Sequence, residues 1–136
     1  MLLIDRVVAW DAQHAVVAAT PRADAWYAEH GAMPSWIGLE LMAQAIAAHV
    51  GLVARSHGNP PKAGVLLGTR RYRAKQAHFA AGAELVITAR MTFRDESGLG
   101  SYDSTITHGD AELATARVTV YEPPDFAAFL REQVAP

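Results

Sequence analysis

Residues 36 to 54 form an almost unbroken apolar stretch, interrupted only by Glu40, Gln44 and His49. Alanine, leucine and methionine dominate this stretch, and these residues favour a helix. Pro34 suits a first helical turn, and the run His57-Gly58-Asn59-Pro60-Pro61 is typical of a helix end. The pattern therefore predicts one helix over about residues 35–56. Because a helix that is apolar on every side must be covered, this segment constrains the rest of the chain.

Lipid and protein are the two possible coverings for such a helix. The apolar stretch is about long enough for a bilayer span, which needs roughly 17–25 residues. However, Glu40 and Gln44 lie four residues apart on one helical face, and a carboxylate at the centre of a membrane is costly. No basic flank marks an orientation across a membrane. We therefore expect a helix covered by protein, and no membrane partner.

Length and composition narrow the classes of function. A chain of 136 residues is expected to form a single domain over 1–136. A net charge of −2 provides no field that would attract nucleic acid. The chain has no cysteine, and its histidines lack the spacing of a metal site, so neither a disulfide nor a metal is expected. Met1-Leu2-Leu3-Ile4 is followed at once by Asp5-Arg6, unlike a secretory leader, which favours a cytoplasmic location.

Strand-like segments lie on both sides of the predicted helix. Apolar and polar residues alternate over 84–94, which predicts a strand with one buried face. Further strands are predicted over 2–10, 14–20, 63–72, 101–107 and 113–121, with a loop over 21–32, a polar crossing over 73–81 and a short final helix over 126–133. A mainly antiparallel sheet that curls around one long helix gives both a common core, which is the α+β architecture called the hot-dog fold. Its exposed edges favour the pairing of two copies, so the fold is expected to form dimers.

Four short motifs occur in an order and spacing that match one enzyme family. Met33-Pro34 is followed by Glu40 and then by Ala43-Gln44. Residues 1–7 read Met-Leu-Leu-Ile-Asp-Arg-Val, residues 72–75 read Tyr-Arg-Ala-Lys, and residues 82–85 read Gly-Ala-Glu-Leu. This set resembles the FabZ-type 3-hydroxyacyl-acyl-carrier-protein dehydratases of fatty acid biosynthesis. The resemblance covers most of the chain and implies a hot-dog lyase without a cofactor, whose substrate is carried on 4′-phosphopantetheine.

The chain also departs from the FabZ pattern, among other places, in the spacing of its histidine and at the start of the helix. In FabZ proteins the catalytic histidine stands further from the Met-Pro pair than His30 does here. The shorter His-Gly-x-Met-Pro spacing is similar to the dehydratase subunits of aryl polyene pigment pathways, which resemble FabZ but can pair with a different hot-dog partner. Ser35-Trp36 replaces the usual small Gly-Val pair, so the acyl tunnel is expected to differ in shape. The implied partners are an acyl carrier protein and a second hot-dog subunit, in a homodimer or a heterodimer.

Dehydration of a 3-hydroxyacyl thioester needs a base at C2 and an acid at the C3 hydroxyl. Histidine suits the first task near neutral pH, and a carboxylic acid kept partly neutral by an apolar pocket suits the second. Glu40, flanked by Leu39 and Leu41 on the central helix, is expected to have such a setting. The resemblance assigns His30 as the base and Glu40 as the acid. It also implies that the two come from opposite subunits.

Substrate binding is predicted at the start of the helix. Backbone N–H groups around Ser35, Trp36 and Ile37, with the positive end of the helix dipole behind them, would receive the thioester oxygen as it gains charge. Gln44 lies one turn after Glu40, where it either holds Glu40 or a water molecule in place or satisfies a buried backbone group. These four residues are the predicted substrate-binding residues.

Each assignment also has a purely structural alternative. His30 could be hydrogen-bonded within its own turn, and Glu40 could pair with Arg71 or Arg73. His49 lies on the side of the helix opposite Glu40 and is expected to be a core or helix-end histidine. The remaining histidines lie in or beside turns and are expected to be solvated: His14, His57, His78 and His108.

The basic cluster and the function itself also have alternatives. The cluster is either a solvated strand end or a contact for the phosphate of the carrier arm or an acidic carrier helix. It consists of Arg70, Arg71, Arg73 and Lys75. A hot-dog thioesterase would use a helix carboxylate to activate water and would not require His30. A non-catalytic or weakly catalytic partner subunit would supply walls and edges to another hot-dog chain.

Overall fold

The computed structural model describes residues 2–59, 65–122 and 131 of the chain. Within these residues it contains one helix and eight strands: β1 Arg6–Trp10, β2 His14–Ala19, β3 Met33–Pro34, α1 Ile37–Ser56, β4 Val65–Ala74, β5 His78–Phe79, β6 Leu85–Arg94, β7 Leu99–His108 and β8 Ala111–Tyr121. The final helix predicted over 126–133 lies, apart from Arg131, outside the described residues. The same is true of Met1 and of the first two residues of the strand predicted over 63–72.

Six of the strands form one antiparallel sheet in the order β1-β2-β6-β7-β8-β4. The alternation that predicts a strand over 84–94 is confirmed, since Leu85, Ile87 and Ala89 are buried on its inner side. Tyr102 and Ile106 on β7 continue the same inner surface. The sheet and the long helix together form the predicted α+β hot-dog architecture, with β1 and β4 as the open edges of the sheet.

The helix packs on the sheet through one face. That face consists of Ile37, Gly38, Leu41, Met42, Ala45, Ile46 and His49. By length and composition the helix could also cross a membrane, with a mean hydropathy of 1.6, as the core helix of a folded domain often could. The expectation of cover on all sides is wrong for a single chain, because Glu40 and Ala47 are exposed. Within the described residues, part of the outer face of the helix is therefore accessible to another surface.

The connection into the helix differs from its prediction. Met33 and Pro34 form the short strand β3, which pairs antiparallel with Phe79 and His78 of β5. Pro34 is thus not in the first helical turn, and the helix begins at Ile37 rather than near residue 35. A proline is tolerated in so short a strand because it can sit where no ladder hydrogen bond is donated. This pairing brings the 73–81 crossing, predicted as polar and irregular, against the start of the helix.

His49 is a core residue, as predicted, and only 2% of it is exposed. Its Nε2 lies 2.9 Å from the carbonyl oxygen of Asp11, which can only accept, so Nε2 carries the hydrogen. Its Nδ1 then accepts the hydroxyl hydrogen of Tyr102 at 2.8 Å. Burial raises the pKa of Tyr102 to about 12 and lowers the pKa of His49. The pair is therefore a neutral, fully hydrogen-bonded link between the helix, β7 and the turn after β1.

Stability is expected to fall as the pH is lowered through the ordinary range of histidine, because the pKa of His49 is lowered by burial in the folded chain. Below about pH 6.5 the unfolded chain binds a proton that folded His49 resists, which costs up to about 1.4 kcal/mol per pH unit. The contribution of His49 to the free energy of unfolding is therefore complete above about pH 6.5 and is lost as the pH falls below it. The measurement is urea unfolding at about pH 7.5 and 5.5.

His49→Gln is the control for this pH dependence, since its amide can donate to the Asp11 carbonyl and accept from Tyr102 but cannot titrate. The pH dependence of the free energy of unfolding is expected to be smaller in the variant. An equal slope in both proteins would contradict the assignment to His49.

Candidate functional site

His30 lies at the tip of a tight two-residue turn. Glu29 and Ala32 exchange backbone hydrogen bonds of 2.9 and 3.0 Å, which closes the turn. His30 and Gly31 between them have φ angles of +52° and +75°. A left-handed conformation is uncommon for a residue with a side chain, although histidine tolerates it better than most. The turn thus projects the His30 side chain into solvent, directly before β3 and the helix.

A second histidine lies beside His30. The ring centroids of His30 and His78 are 6.2 Å apart, and the rings meet edge to face at 75°. Nε2 of His78 lies 3.7 Å from a carboxylate oxygen of Glu29, within ion-pair range. The β3–β5 pairing sets this arrangement, because it places His78 opposite Pro34. His30, His78 and Glu29 therefore form one group of titratable side chains at the approach to the helix.

The start of the helix presents two backbone donors. The N–H of Gly38 donates to the Ser35 carbonyl at 2.9 Å, and the N–H of Leu39 to the Trp36 carbonyl at 3.3 Å. Among the described residues, the N–H groups of Trp36 and Ile37 have no hydrogen-bond acceptor. The N–H of Ser35 is not available, because it donates to the Ala77 carbonyl at 2.8 Å. Of the three N–H groups in the predicted donor set, those of Trp36 and Ile37 therefore remain available, at the helix end where the dipole favours negative charge.

Tyr72 of β4 holds the helix start in place. Its hydroxyl donates to the Ser35 carbonyl, and its ring is partly buried. Burial raises the pKa of this phenol, so the hydroxyl keeps its proton and remains a donor. A side chain at Gly38 would meet the Tyr72 hydroxyl, which explains the glycine in the first turn of the helix. The backbone that carries the two free N–H groups is therefore fixed from the sheet side.

Glu40 is exposed in the single chain, which corrects the expectation of an apolar pocket around it. Among the described residues the outer face of the helix is only partly covered, with Glu40 and Ala47 exposed, and this is the physical reason for the difference. Gln44 donates from Nε2 to Oε1 of Glu40 at 3.1 Å. Its own Oε1 accepts the backbone N–H groups of Leu3 and Ile4 at 2.7 and 3.3 Å. Gln44 thus fulfils both alternatives, since it orients Glu40 and satisfies the backbone of the N-terminal segment.

The two predicted catalytic residues are not joined within one chain. In the described part of the structure no hydrogen bond or ion pair links His30 to Glu40, and no arginine pairs with Glu40. Trp36 lies between them in sequence and is 60% exposed at the start of the helix. One chain therefore presents an exposed imidazole, two backbone N–H groups without an acceptor among the described residues, and an exposed carboxylate. Whether His30 and Glu40 meet across two subunits stays a prediction.

Sequence reasoning missed three residues of this region. His78 was expected to be solvated, and its side chain is 38% exposed, but its place beside the His30 ring was not predicted. Glu29 and Tyr72 were not singled out as site residues. The one feature of the sequence that could have indicated them was the Met33-Pro34 pair. A strand formed there needs a partner strand, and the segment with the apolar Phe79 was a candidate.

The basic cluster lies on edge strand β4. Its residue Arg71 has a φ of +59°, lies at an irregularity of this strand and is exposed.

Comparisons with known proteins bear on the family and the fold. A sequence model of the ApeP-like family, described as ApeP dehydratase, matches residues 1–131. The dehydratase heterocomplex ApeI:P from Xenorhabdus doucetiae contains a chain that is 26% identical, with a TM-score of 0.89 over 99% of this chain and 90% of that one. None of the curated proteins compared with the chain is similar to it in sequence.

Two further solved structures share the fold at lower identity. The PaaI protein of the Escherichia coli phenylacetic acid degradation operon is 22% identical, with a TM-score of 0.69 over 88% of this chain and 78% of that one. A variant of a Staphylococcus aureus thioesterase is 16% identical, with a TM-score of 0.70 over 88% and 93%. At these identities the likeness concerns the hot-dog fold alone. The family match over residues 1–131 also confirms the resemblance to aryl polyene dehydratase subunits, and the chain belongs to the ApeP-like dehydratase family.

Proposed function

We propose that this chain dehydrates a 3-hydroxyacyl thioester to the trans-2-enoyl thioester and water. The substrate is carried by 4′-phosphopantetheine on an acyl carrier protein, no further cofactor takes part, and the reaction belongs to aryl polyene-type or fatty acid biosynthesis in the cytoplasm. The observation that carries the proposal is the position of His30, on a left-handed turn immediately before a helix start with two free N–H groups. Membership of a dehydratase family supports it.

The reaction consists of two proton transfers, and a different residue carries out each of them. His30 removes the proton from C2, and the N–H groups of Trp36 and Ile37 stabilise the charge that develops on the thioester oxygen. Glu40, oriented by Gln44, donates a proton to the C3 hydroxyl, which leaves as water. The C2–H and C3–O bonds break, the C2–C3 double bond forms, and one proton moves from Glu40 to the leaving oxygen.

The exposure of Glu40 supports an assembly in which a second subunit completes the site. A carboxylic acid serves as a proton donor near neutral pH when a low-dielectric pocket favours its neutral form. Among the described residues Glu40 is exposed, as is Ala47 on the same helix face. We therefore propose a homodimer, or a heterodimer with another hot-dog subunit, in which the partner covers Glu40. The 26% identical relative is itself part of a heterocomplex, which supports the second form.

A role as a partner subunit is the second candidate function. The relative's ApeI:P heterocomplex favours it, because one of two hot-dog chains could carry most of the catalysis. The thioesterase alternative has only the fold in its favour. In that reaction Glu40 would activate water, and the acyl product would be a free acid rather than an enoyl thioester.

One set of assays separates these functions. The purified chain is offered 3-hydroxyacyl, trans-2-enoyl and saturated acyl thioesters, each on carrier protein and on coenzyme A. Interconversion of the first two, without release of free thiol, is the expected result. Thiol release from the saturated thioester would indicate a thioesterase. Inactivity of the chain alone, with activity restored by a co-encoded hot-dog subunit but unaffected by changes at His30 and Glu40, would indicate a non-catalytic partner.

A further inference from the structure

The proposed dehydration leaves the site in the wrong protonation state after each turnover. His30 has gained the C2 proton, and Glu40 has lost a proton to the departing water. Before another substrate reacts, His30 must lose its proton and Glu40 must regain one. A base that already faces solvent exchanges protons directly, but a carrier arm and acyl chain bound at the helix start would cover His30.

His78 has the position and the partners to accept that proton. Its ring meets the His30 ring edge to face, with the ring centroids 6.2 Å apart. The Glu29 carboxylate lies 3.7 Å from Nε2 of His78, which is beyond hydrogen-bond distance but within ion-pair range. Glu29 would also stabilise the imidazolium that forms, since an opposite charge lies within ion-pair range.

The pair also leads outward to solvent. The side chain of His78 is 38% exposed and that of Glu29 is 56% exposed, whereas the adjoining Phe79 is fully buried. In the His78–Glu29 pair, His78 therefore lies against the ring of the proposed base His30, and both side chains are accessible to solvent. The β3–β5 pairing and the closed turn at Glu29 hold both side chains on fixed backbone.

We propose that His78, beside Glu29, carries the abstracted proton from His30 to solvent while the bound product still covers His30, and so resets the base before the product leaves. The N–H bond on His30 breaks, an N–H bond forms on His78, and His78 then releases a proton to water. No oxidant, reductant or other reactant is consumed. The inference rests on the proposed dehydration. It adds a relay residue to the base and the acid.

The test compares the first turnover with later ones in His78→Gln and Glu29→Gln, using the assembly that is active in the thioester assays. Substrate deuterated at C2 is supplied in ordinary water, and the recovered substrate is analysed for deuterium. In His78→Gln the steady-state kcat is expected to fall roughly tenfold, with KM and the first-turnover rate unchanged. Loss of deuterium from recovered substrate should fall in parallel, because the label stays on His30 and returns to C2. Glu29→Gln should give a smaller change in the same direction.

His57→Gln is the matched control, since His57 is exposed at the far end of the helix, and it should behave as the wild type. Added imidazole should restore part of the steady-state rate of His78→Gln, which a packing role would not allow. Equal slowing of the first turnover, or normal loss of deuterium in His78→Gln, would overturn the relay. If His30→Asn remained fully active, the dehydration proposal itself would fail, and this result is distinct from failure of the relay.

Discussion

Replacing His30 with asparagine is expected to lower kcat for dehydration by about 10³-fold, equivalent to about 4 kcal/mol of transition-state stabilisation. Asparagine tolerates the left-handed conformation that His30 adopts at φ +52°, so the turn should persist while the base is lost. Glu40→Gln should cause a comparable loss, because the amide can still bond to Gln44 but cannot donate an acidic proton. Both effects are measured as hydration of the enoyl thioester, the reverse reaction.

The double variant tests whether His30 and Glu40 act on the same substrate molecule or affect the rate independently. A base and an acid that act on one substrate are strongly non-additive, so His30→Asn with Glu40→Gln should be little slower than either single variant. His57→Asn is the control for a histidine lost elsewhere on the surface. A loss below tenfold in His30→Asn, with the fold intact by circular dichroism, would remove His30 from the role of base.

Mixing the two single variants tests the predicted sharing of the site between subunits. In a homodimer, hybrid molecules would carry one site with both native residues, so mixing should restore roughly a quarter of wild-type activity. If His30 and Glu40 of the same chain worked together, no hybrid would contain an intact site, and mixing would restore nothing. A heterodimer with a different hot-dog chain would also show no recovery, and its composition would be evident from its mass.

The parts of the fold that follow from the sequence are those with a clear period. The alternation over 84–94 and the long apolar stretch locate β6 and the helix to within a few residues. His49 is also predictable, because its angle on the helix places it opposite Glu40 and so towards the sheet. In each case the pattern extends over several residues, and the local preference agrees with the final packing.

The parts that could not be predicted depend on contacts between distant or separate segments. Strand β3 has only two residues, which are too few to show a period. The sequence therefore did not reveal that the Ser35 N–H donates to the Ala77 carbonyl. For the same reason it did not reveal that His78 lies beside His30. The exposure of Glu40 could not be deduced either. An apolar helix indicates that cover is needed, but the sequence does not say whether one chain or two provide it.

Gly38→Ala is expected to lower the free energy of unfolding by about 1–3 kcal/mol, as overpacking of a close-packed core usually does. The new methyl group would meet the Tyr72 hydroxyl and would approach Ile106 Cδ1 to 3.0 Å and Phe79 Cε2 to 3.3 Å. Gly51→Ala on the same helix is the matched control, because nothing lies within 4 Å of its added methyl group. That variant should be more stable by up to about 1 kcal/mol, the gain of alanine over glycine in a helix.

Adding Tyr72→Phe to Gly38→Ala should recover part of the lost stability, because it removes the oxygen that the methyl group meets. Tyr72→Phe alone should be destabilising, since the Ser35 carbonyl loses one of its two donors and keeps only the Gly38 N–H. The double-mutant cycle, measured by urea unfolding, should therefore show a favourable coupling of roughly 1 kcal/mol. Additive effects would mean that the Tyr72 hydroxyl does not require a glycine at position 38. Because the same hydroxyl fixes the backbone that carries the Trp36 and Ile37 N–H groups, Tyr72→Phe should also lower kcat for dehydration while the protein remains folded.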